Sequence, residues 1–184
     1  MDPKRAVRLS KLLSFGLRHR PDRFGLQLDA AGWVDVDRVL ESLAAKGEPL
    51  SAEELSELVR TSDKQRFSLS EDGTRIRANQ GHSIAVELGL TPREPPPRLY
   101  HGTVDRFLER IRVQGLMRGA RTHVHLSIDE RTAHVVAARR KGRPVILSVR
   151  AGEMNADGIP FFLSDNGVWL TEHVPARYLD YPPA

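Results

Sequence analysis

At 184 residues the chain is long enough for one large domain or two of roughly 90 residues each, and 40% hydrophobic with 28% charged residues is a globular balance that excludes collagen, coiled-coil and globally disordered classes. There is no cysteine, which removes disulfide frameworks, zinc knuckles and thiol nucleophiles and suits a reducing compartment. The formal charge of +4 comes from 28 basic and 24 acidic side chains, and 23 of the basic ones are arginine, a planar donor fork that fits phosphate and stacks on bases.

In chain order, Leu9, Leu12, Leu13 and Leu17 with Gly16 make one apolar stripe that predicts a helix from about Lys4 to His19, stopped by Pro21. Trp33-Val34 is a short extended piece after a Gly32 turn, and Val36, Val39, Leu40 and Leu43 give a second helix. Ser51-Ala52-Glu53-Glu54 is a capping box opening a third, with Leu55, Leu58 and Val59 inward. Arg66-Phe67-Ser68-Leu69 then alternates, Asp72-Gly73 turns, and Arg75-Ile76-Arg77 returns as a hairpin. Three helices and a β-wing make a winged-helix-like module over 1–91, which by itself suggests a DNA-binding domain. Thr91-Pro92-Arg93-Glu94-Pro95-Pro96-Pro97 lacks backbone donors at its prolines, so 92–98 is expected to be a stiff linker.

The remainder, 99–184, predicts a compact α+β unit with a mostly antiparallel sheet. Leu99-Tyr100 is a strand leading into His101-Gly102-Thr103, where a glycine lets a ligand approach the backbone. A helix carries Phe107, Leu108 and Ile111 and ends at Gly115; Val124 and Leu126 alternate with His123, His125 and Ser127 on a strand; residues 129–141 look helical. Val145–Val149 is a β-branched buried strand, and Phe161-Phe162-Leu163 and Val168-Trp169-Leu170 flank a turn at 164–167.

Several groups could carry chemistry. Arg18, His19, Arg20 and Arg23 crowd the end of the first helix, where they could clamp a phosphate or simply cap carbonyls. Arg66 faces away from Phe67 and Leu69, as a ligand group or a solvated wing arginine. The face formed by His123, His125 and Ser127 is too polar for a plain core, yet no third ligand with metal spacing follows, so no metal is expected. Phosphate loops of the Walker type, the glycine fingerprint of classical dinucleotide folds, serine-hydrolase elbows and zinc-protease motifs are all missing. No apolar run approaches the ~20 residues of a membrane helix, and Met-Asp-Pro-Lys-Arg has no signal-like apolar stretch, so the expectation is a cytoplasmic protein, most simply a monomer.

Taken in order, Leu9-Ser10-Lys11, Leu17-Arg18-His19-x-Pro21, Asp63-Lys64-Gln65-Arg66-Phe67, Ile76 through Ser83, Leu99-Tyr100-His101-Gly102-Thr103, His123-Val124-His125-Leu126-Ser127, Asn166 through Thr171 and Val174-Pro175 resemble the NAD-dependent RNA 2′-phosphotransferases, the KptA family. The resemblance covers nearly the whole chain, and no motif position departs from it. It implies two lobes, winged-helix-like and ADP-ribosyltransferase-like, with NAD⁺ as co-substrate and no metal. Its basic tetrad maps to Arg18, His19, Arg66 and Arg121, three from the first lobe and one from the second. NAD⁺ would be held by His101, Gly102, Thr103, His125 and Ser127, while Gln80, His82 and Ser83 would touch RNA or buttress the tetrad.

The implied substrate is an RNA with an internal 2′-phosphate, tRNA-like in kind. In two steps, through a 2′-phospho-ADP-ribosylated RNA, the reaction would give 2′-OH RNA, ADP-ribose 1″,2″-cyclic phosphate and nicotinamide. Val168 stands where many ADP-ribosyltransferases carry a glutamate, which suits an acceptor that brings its own charge. Two rivals remain: a winged-helix nucleic-acid-binding regulator, and an ADP-ribosyltransferase acting on terminal RNA phosphates.

Overall fold

The computed structural model describes residues 1–62 and 65–183, so Asp63 and Lys64 of the Asp63–Phe67 motif lie outside the described residues. The chain divides into two compact units, Met1–Gly89 and Leu90–Ala184. Helices combine with small antiparallel sheets, an α+β composition. Among the described residues no helix is long and apolar enough to cross a membrane.

In the first unit, helix α1 spans Pro3–Arg18. Asp2 caps it by accepting from the Arg5 amide at 2.9 Å, and Pro3 sits where the first helical turn needs no donor. Leu9, Leu13 and Leu17 are buried on one side, and Gly16 gives Phe24 room: a Cβ there would lie 3.0 Å from the Phe24 ring. A 3₁₀ turn at Pro21–Phe24 follows, closed by Gly25 at φ 62. Strand β1 (Val34–Asp35) precedes α2 (Val36–Ala45) and α3 (Ala52–Thr61). The hairpin β2 (Phe67–Leu69) and β3 (Arg75–Ala78) completes a sheet of order β1-β3-β2, all antiparallel. Its turn is fixed by Asp72, which accepts from Ser70 Oγ, Thr74 N and Thr74 Oγ1; these bonds hold the Asp72 pKa down to about 2. Leu43, Leu55, Phe67 and Ile76 join the α1 leucines in one core.

The second unit begins with the proline-rich segment, which is docked rather than free. Pro95 is buried, Arg93 N donates to Phe161 O at 2.8 Å, and Gly152 N donates to Pro97 O at 3.1 Å. Strand β4 (Leu99–Val104), α4 (Leu108–Gln114), β5 (Leu116–Met117), β6 (Val124–Leu126), α5 (Glu130–Ala137), β7 (Pro144–Val149) and α6 (Ala151–Ala156) follow. Four short strands end the unit, β8 (Phe162–Leu163), β9 (Trp169–Thr171), β10 (His173–Val174) and β11 (Leu179–Asp180). They form antiparallel sheets of order β11-β7-β4, β6-β9-β8 and β10-β5. A reciprocal backbone pair joins the first two sheets: Tyr100 N to Ser127 O at 2.9 Å and Ser127 N to Tyr100 O at 2.8 Å. Leu99, Leu147, Val149, Met154 and Phe161 are fully buried between these elements.

Two expectations change here. His101-Gly102-Thr103 does not lie in a loop after a two-residue strand; it is the middle of β4, paired with Leu147, Ile146 and Val145 of β7. Six residues of β7 offer ladder partners, so β4 runs on to match them. The helix expected over 129–141 is α5 alone, Glu130–Ala137, and the basic run after it turns instead. Gly142 at φ 128 and Pro144 end any helical continuation.

Candidate functional site

The first unit gathers a basic cluster where α1 ends against the segment after β3. Arg18 Nη2 donates to the Arg66 carbonyl at 3.3 Å, with the Arg18 guanidinium 5.9 Å from the Phe67 ring centroid. Arg66 Nη1 donates to Ser10 Oγ at 3.2 Å, and among the described residues no carboxylate pairs with it. His19 Nδ1 is bonded to Ser83 Oγ at 2.9 Å, while Ser83 N donates to Arg18 O at 2.9 Å. Arg18, His19, Arg66 and Ser83 are therefore one neighbourhood.

Beneath it lies His82, 0% exposed, with neither ring nitrogen hydrogen-bonded among the described residues. Burial, then the charges of Arg18, His19 and Arg77, push its pKa down to about 4, so it is neutral at pH 7. Full burial keeps its ring out of solvent, beneath the basic cluster. Ser83 is exposed and Gln80 half-buried.

Asn79, which no sequence pattern marks for a role, shapes this cluster. Asn79 Nδ2 donates to Gln65 O at 2.7 Å, its Oδ1 accepts from Ser68 Oγ at 2.7 Å, and its amide donates to Arg66 O at 3.0 Å. Gln65 has φ 36, strained for a side-chain-bearing residue, and Asn79 holds that strained carbonyl next to Arg66. The available signal was an asparagine directly after a strand, where its amide can bind a neighbouring backbone.

The second unit contains a cleft of about 610 Å³. His101, Gly102, Thr103, Arg121 and His125 all line it, whereas Ser127 does not and is engaged through its backbone with Tyr100. Arg110, Arg118, Arg139 and Arg140 join Arg121 on the walls, and no carboxylate lines the cleft among the described residues. Those four arginines were missed; the signal for two of them was the basic run after α5.

Gly102 serves packing as well as the cleft. A Cβ at Gly102 would lie 1.9 Å from Ala133 O and 3.0 Å from Ala137 N, so its bare backbone is what lets α5 lie on β4.

His101 Nδ1 donates to His125 O at 3.1 Å, which leaves Nε2 as the acceptor of the neutral ring. Burial first, then Arg140 and Arg121, lower the His101 pKa against the raising effect of that carbonyl. Arg121 Nη1 donates to His125 Nδ1 at 3.1 Å, so Nδ1 carries a lone pair. Burial and Arg140 lower the Arg121 pKa, yet a guanidinium stays charged near neutrality. His123 stacks edge-on against Phe162 at 5.7 Å and binds Thr122 Oγ1 at 3.1 Å, and burial lowers its pKa. Val168 lies just before β9, its amide bonded to Ser164 Oγ at 3.0 Å. Among the described residues no group of three His, Cys, Asp or Glu is placed to hold a metal ion.

A cationic cluster in one unit and a carboxylate-free, arginine-walled cleft in the other both suit phosphate-bearing ligands. Comparison with known proteins points the same way. The model of the family described as "RNA 2'-phosphotransferase, Tpt1 / KptA family" matches residues 4–173. A protein of Streptomyces coelicolor named "Probable RNA 2'-phosphotransferase" is 54% identical over 182 residues, 99% of this chain and 98% of that one. Proteins of the same name from Agrobacterium fabrum and Flavobacterium johnsoniae are 56% and 50% identical, covering 92% and 98% of this chain and 91% and 99% of their own.

Proposed function

The chain belongs to the RNA 2'-phosphotransferase, Tpt1 / KptA family, and we propose that it removes an internal 2′-phosphate from RNA by passing it to NAD⁺ in two steps. The observation that carries the NAD⁺ assignment is the second unit's cleft, where five arginines and no carboxylate among the described residues suit a pyrophosphate. Two further features support the architecture. The order α1, β1, α2, α3, β2, β3 with sheet order β1-β3-β2 favours a winged-helix-like first unit. Two antiparallel sheets beside the cleft favour an ADP-ribosyltransferase-like second unit.

In this reading the RNA 2′-phosphate attacks the nicotinamide-bearing ribose carbon (C1″) and nicotinamide leaves with the bonding electrons. The ribose 2″-hydroxyl then attacks phosphorus and gives up its proton, the phosphorus–oxygen bond to RNA breaks, and the departing RNA 2′-oxygen takes up a proton, so that none is gained or lost overall. The first nucleophile is already anionic at pH 7, so it needs orientation more than a base. Arg18 and Arg66 supply that orientation by forked contacts, with Asn79 and Ser10 fixing where Arg66 points. The second step crowds negative charge on the phosphoryl oxygens, which arginines stabilise. His19, held by Ser83, is the member able to hand a proton to the leaving oxygen. Arg121, braced on His125, serves the ribose or phosphate. His101 Nε2 offers an acceptor, and Thr103 a hydroxyl, within the cleft that would take NAD⁺.

Incubation with NAD⁺ and an RNA carrying one labelled internal 2′-phosphate tests this. Label recovered in a cyclic ADP-ribose phosphate is the expected result. Label retained on ADP-ribosylated RNA favours a one-step terminal-phosphate enzyme, and unchanged RNA favours a binding regulator. Arg18→Ala and Arg66→Ala should each slow release about 100-fold or more while the protein stays folded; wild-type rates in both would remove them from the chemistry.

A further inference from the structure

The first unit carries a separate recess of about 430 Å³ lined by none of the residues expected to bind ligand. Its wall holds Trp33, Gln27, Asp29, Asp35, Arg38 and Arg75. Two arginines balance two aspartates in formal charge; Arg75 pairs with Asp29 at 2.6 Å and Arg38 with Glu41 at 3.2 Å, while Asp35 keeps a carboxylate that can accept from a ligand. Such a wall favours neither a phosphate nor a cation. Its ligand should be neutral.

It should also be planar. Trp33 is half-buried, and the guanidinium of Arg77 sits 4.7 Å from its ring centroid. The Arg75 guanidinium lies 6.0 Å away. The loop presenting the ring is rigid, because Asp29 Oδ1 accepts from Ala31 N at 3.0 Å and Trp33 N at 2.8 Å while Asp29 N donates to Trp33 O at 2.9 Å. With Arg77 already against the ring, a flat ligand would complete the stack on a preorganised aromatic group at reduced ordering cost. Hydrogen-bonding edges are also available: among the described residues neither the Gln27 nor the Asp35 side chain has a partner, and both are exposed.

Position supplies the last argument. Gly32, next to Trp33, packs on His82, whose Nε2 would be 3.5 Å from a Cβ there. His82 in turn feels the charges of Arg18 and His19. Gly32, His82 and Ser83, whose amide donates to Arg18 O, thus link the tryptophan loop to the basic cluster within the same unit. We propose that the Trp33 recess binds an unpaired nucleobase of the RNA strand whose 2′-phosphate the basic cluster holds; this rests on the RNA substrate proposed above. The base stacks on Trp33 and presents its amino and carbonyl groups to Asp35 and Gln27. It must be unpaired, since a base within a duplex has neither a free face nor a free edge.

Tryptophan emission reads the recess without turnover. A single-stranded hexaribonucleotide lacking any 2′-phosphate should quench the wild-type protein, and the same strand as a duplex should not. Trp33→Tyr should lose that quench, because the other tryptophan, Trp169, is buried. Equal quenching by AMP or NAD⁺ would make the recess a free-nucleotide site, and no quenching would overturn the proposal. In turnover, Trp33→Leu should raise KM for 2′-phosphorylated RNA about tenfold, with the loss in KM rather than kcat. Trp33→Tyr should stay near wild type because it keeps an aromatic face. Gln27→Ala, at an exposed position that threatens no core, should raise KM severalfold. An unchanged KM in both Trp33→Leu and Gln27→Ala overturns the base site. Should the wild type release no 2′-phosphate at all, the functional reading fails and the quenching titration still decides the recess.

Discussion

Gly102 separates two explanations of one missing side chain. The sequence suggests that it clears space for a ligand, whereas the structure also shows α5 occupying the space where a Cβ would go, 1.9 Å from Ala133 O. A backbone carbonyl inside a helix cannot step aside as a flexible side chain can, so Gly102→Ala must push α5 off β4. The expected cost is at least about 2 kcal/mol of folding stability, measured by urea unfolding. A variant with wild-type stability and only a weaker KM for NAD⁺ would restore the ligand-clearance explanation. The arginines make a complementary point. Arg18 and Arg66 stand out in sequence because their motif neighbours are distinctive, but Arg66 is bonded through its side chain to Ser10 and through its carbonyl to the Asn79 amide, contacts that no periodicity marks. Side-chain-to-backbone bonds between residues 14 apart, as from Asn79 to Gln65, leave no spacing signature.

Among elements, those with strong local causes were readable. The leucine stripe of α1, the Asp72-Gly73 hairpin and the capping box of α3 each rest on residues close together in the chain. Strands β5, β10 and β11 were not readable, because two residues show no alternation and exist only through partners such as Leu116 with Val174. The length of β4 was misjudged for the same reason, its far half being defined by β7. The α3 cap is the cleanest local device. Ser51 Oγ accepts from Glu54 N at 3.2 Å and Glu54 Oε2 accepts from Ser51 N at 3.0 Å. Ser51→Ala removes the first bond, leaving an N-terminal amide of the helix unsatisfied, and should lower stability by about 1 kcal/mol in urea unfolding. Because α3 packs on the hairpin that bears Arg66, the KM for RNA is the second quantity to follow; a change in KM without any loss of stability would mean that the cap acts on the site and not on the helix.

Across the whole molecule, histidines with lowered pKa values occur in both units, Met1–Gly89 and Leu90–Ala184. In the first unit the sensitive group is His82. Its folded pKa is about 4, against an ordinary value of 6.5, because burial and the nearby Arg18, His19 and Arg77 disfavour a further positive charge. The unfolded chain therefore takes up the proton first as pH falls. Stability is undiminished above about 6.5, declines as pH falls from there to about 4, and loses on the order of 3 kcal/mol across that window. In the second unit His101 and His123 have lowered pKa values too, so their protonation costs stability with the same sign. Separate reporters keep the two apart, since Trp33 lies in the first unit and Trp169 in the second. In a Trp169→Phe background, urea unfolding followed at Trp33 should weaken markedly between pH 7 and pH 4.5. Adding His82→Leu, which fills the site with an apolar group that binds no proton, should remove most of that weakening. Equal acid sensitivity at Trp33 with and without His82→Leu would show that protons enter the first unit elsewhere, and that the buried imidazole between the tryptophan loop and the basic cluster does not set its acid limit.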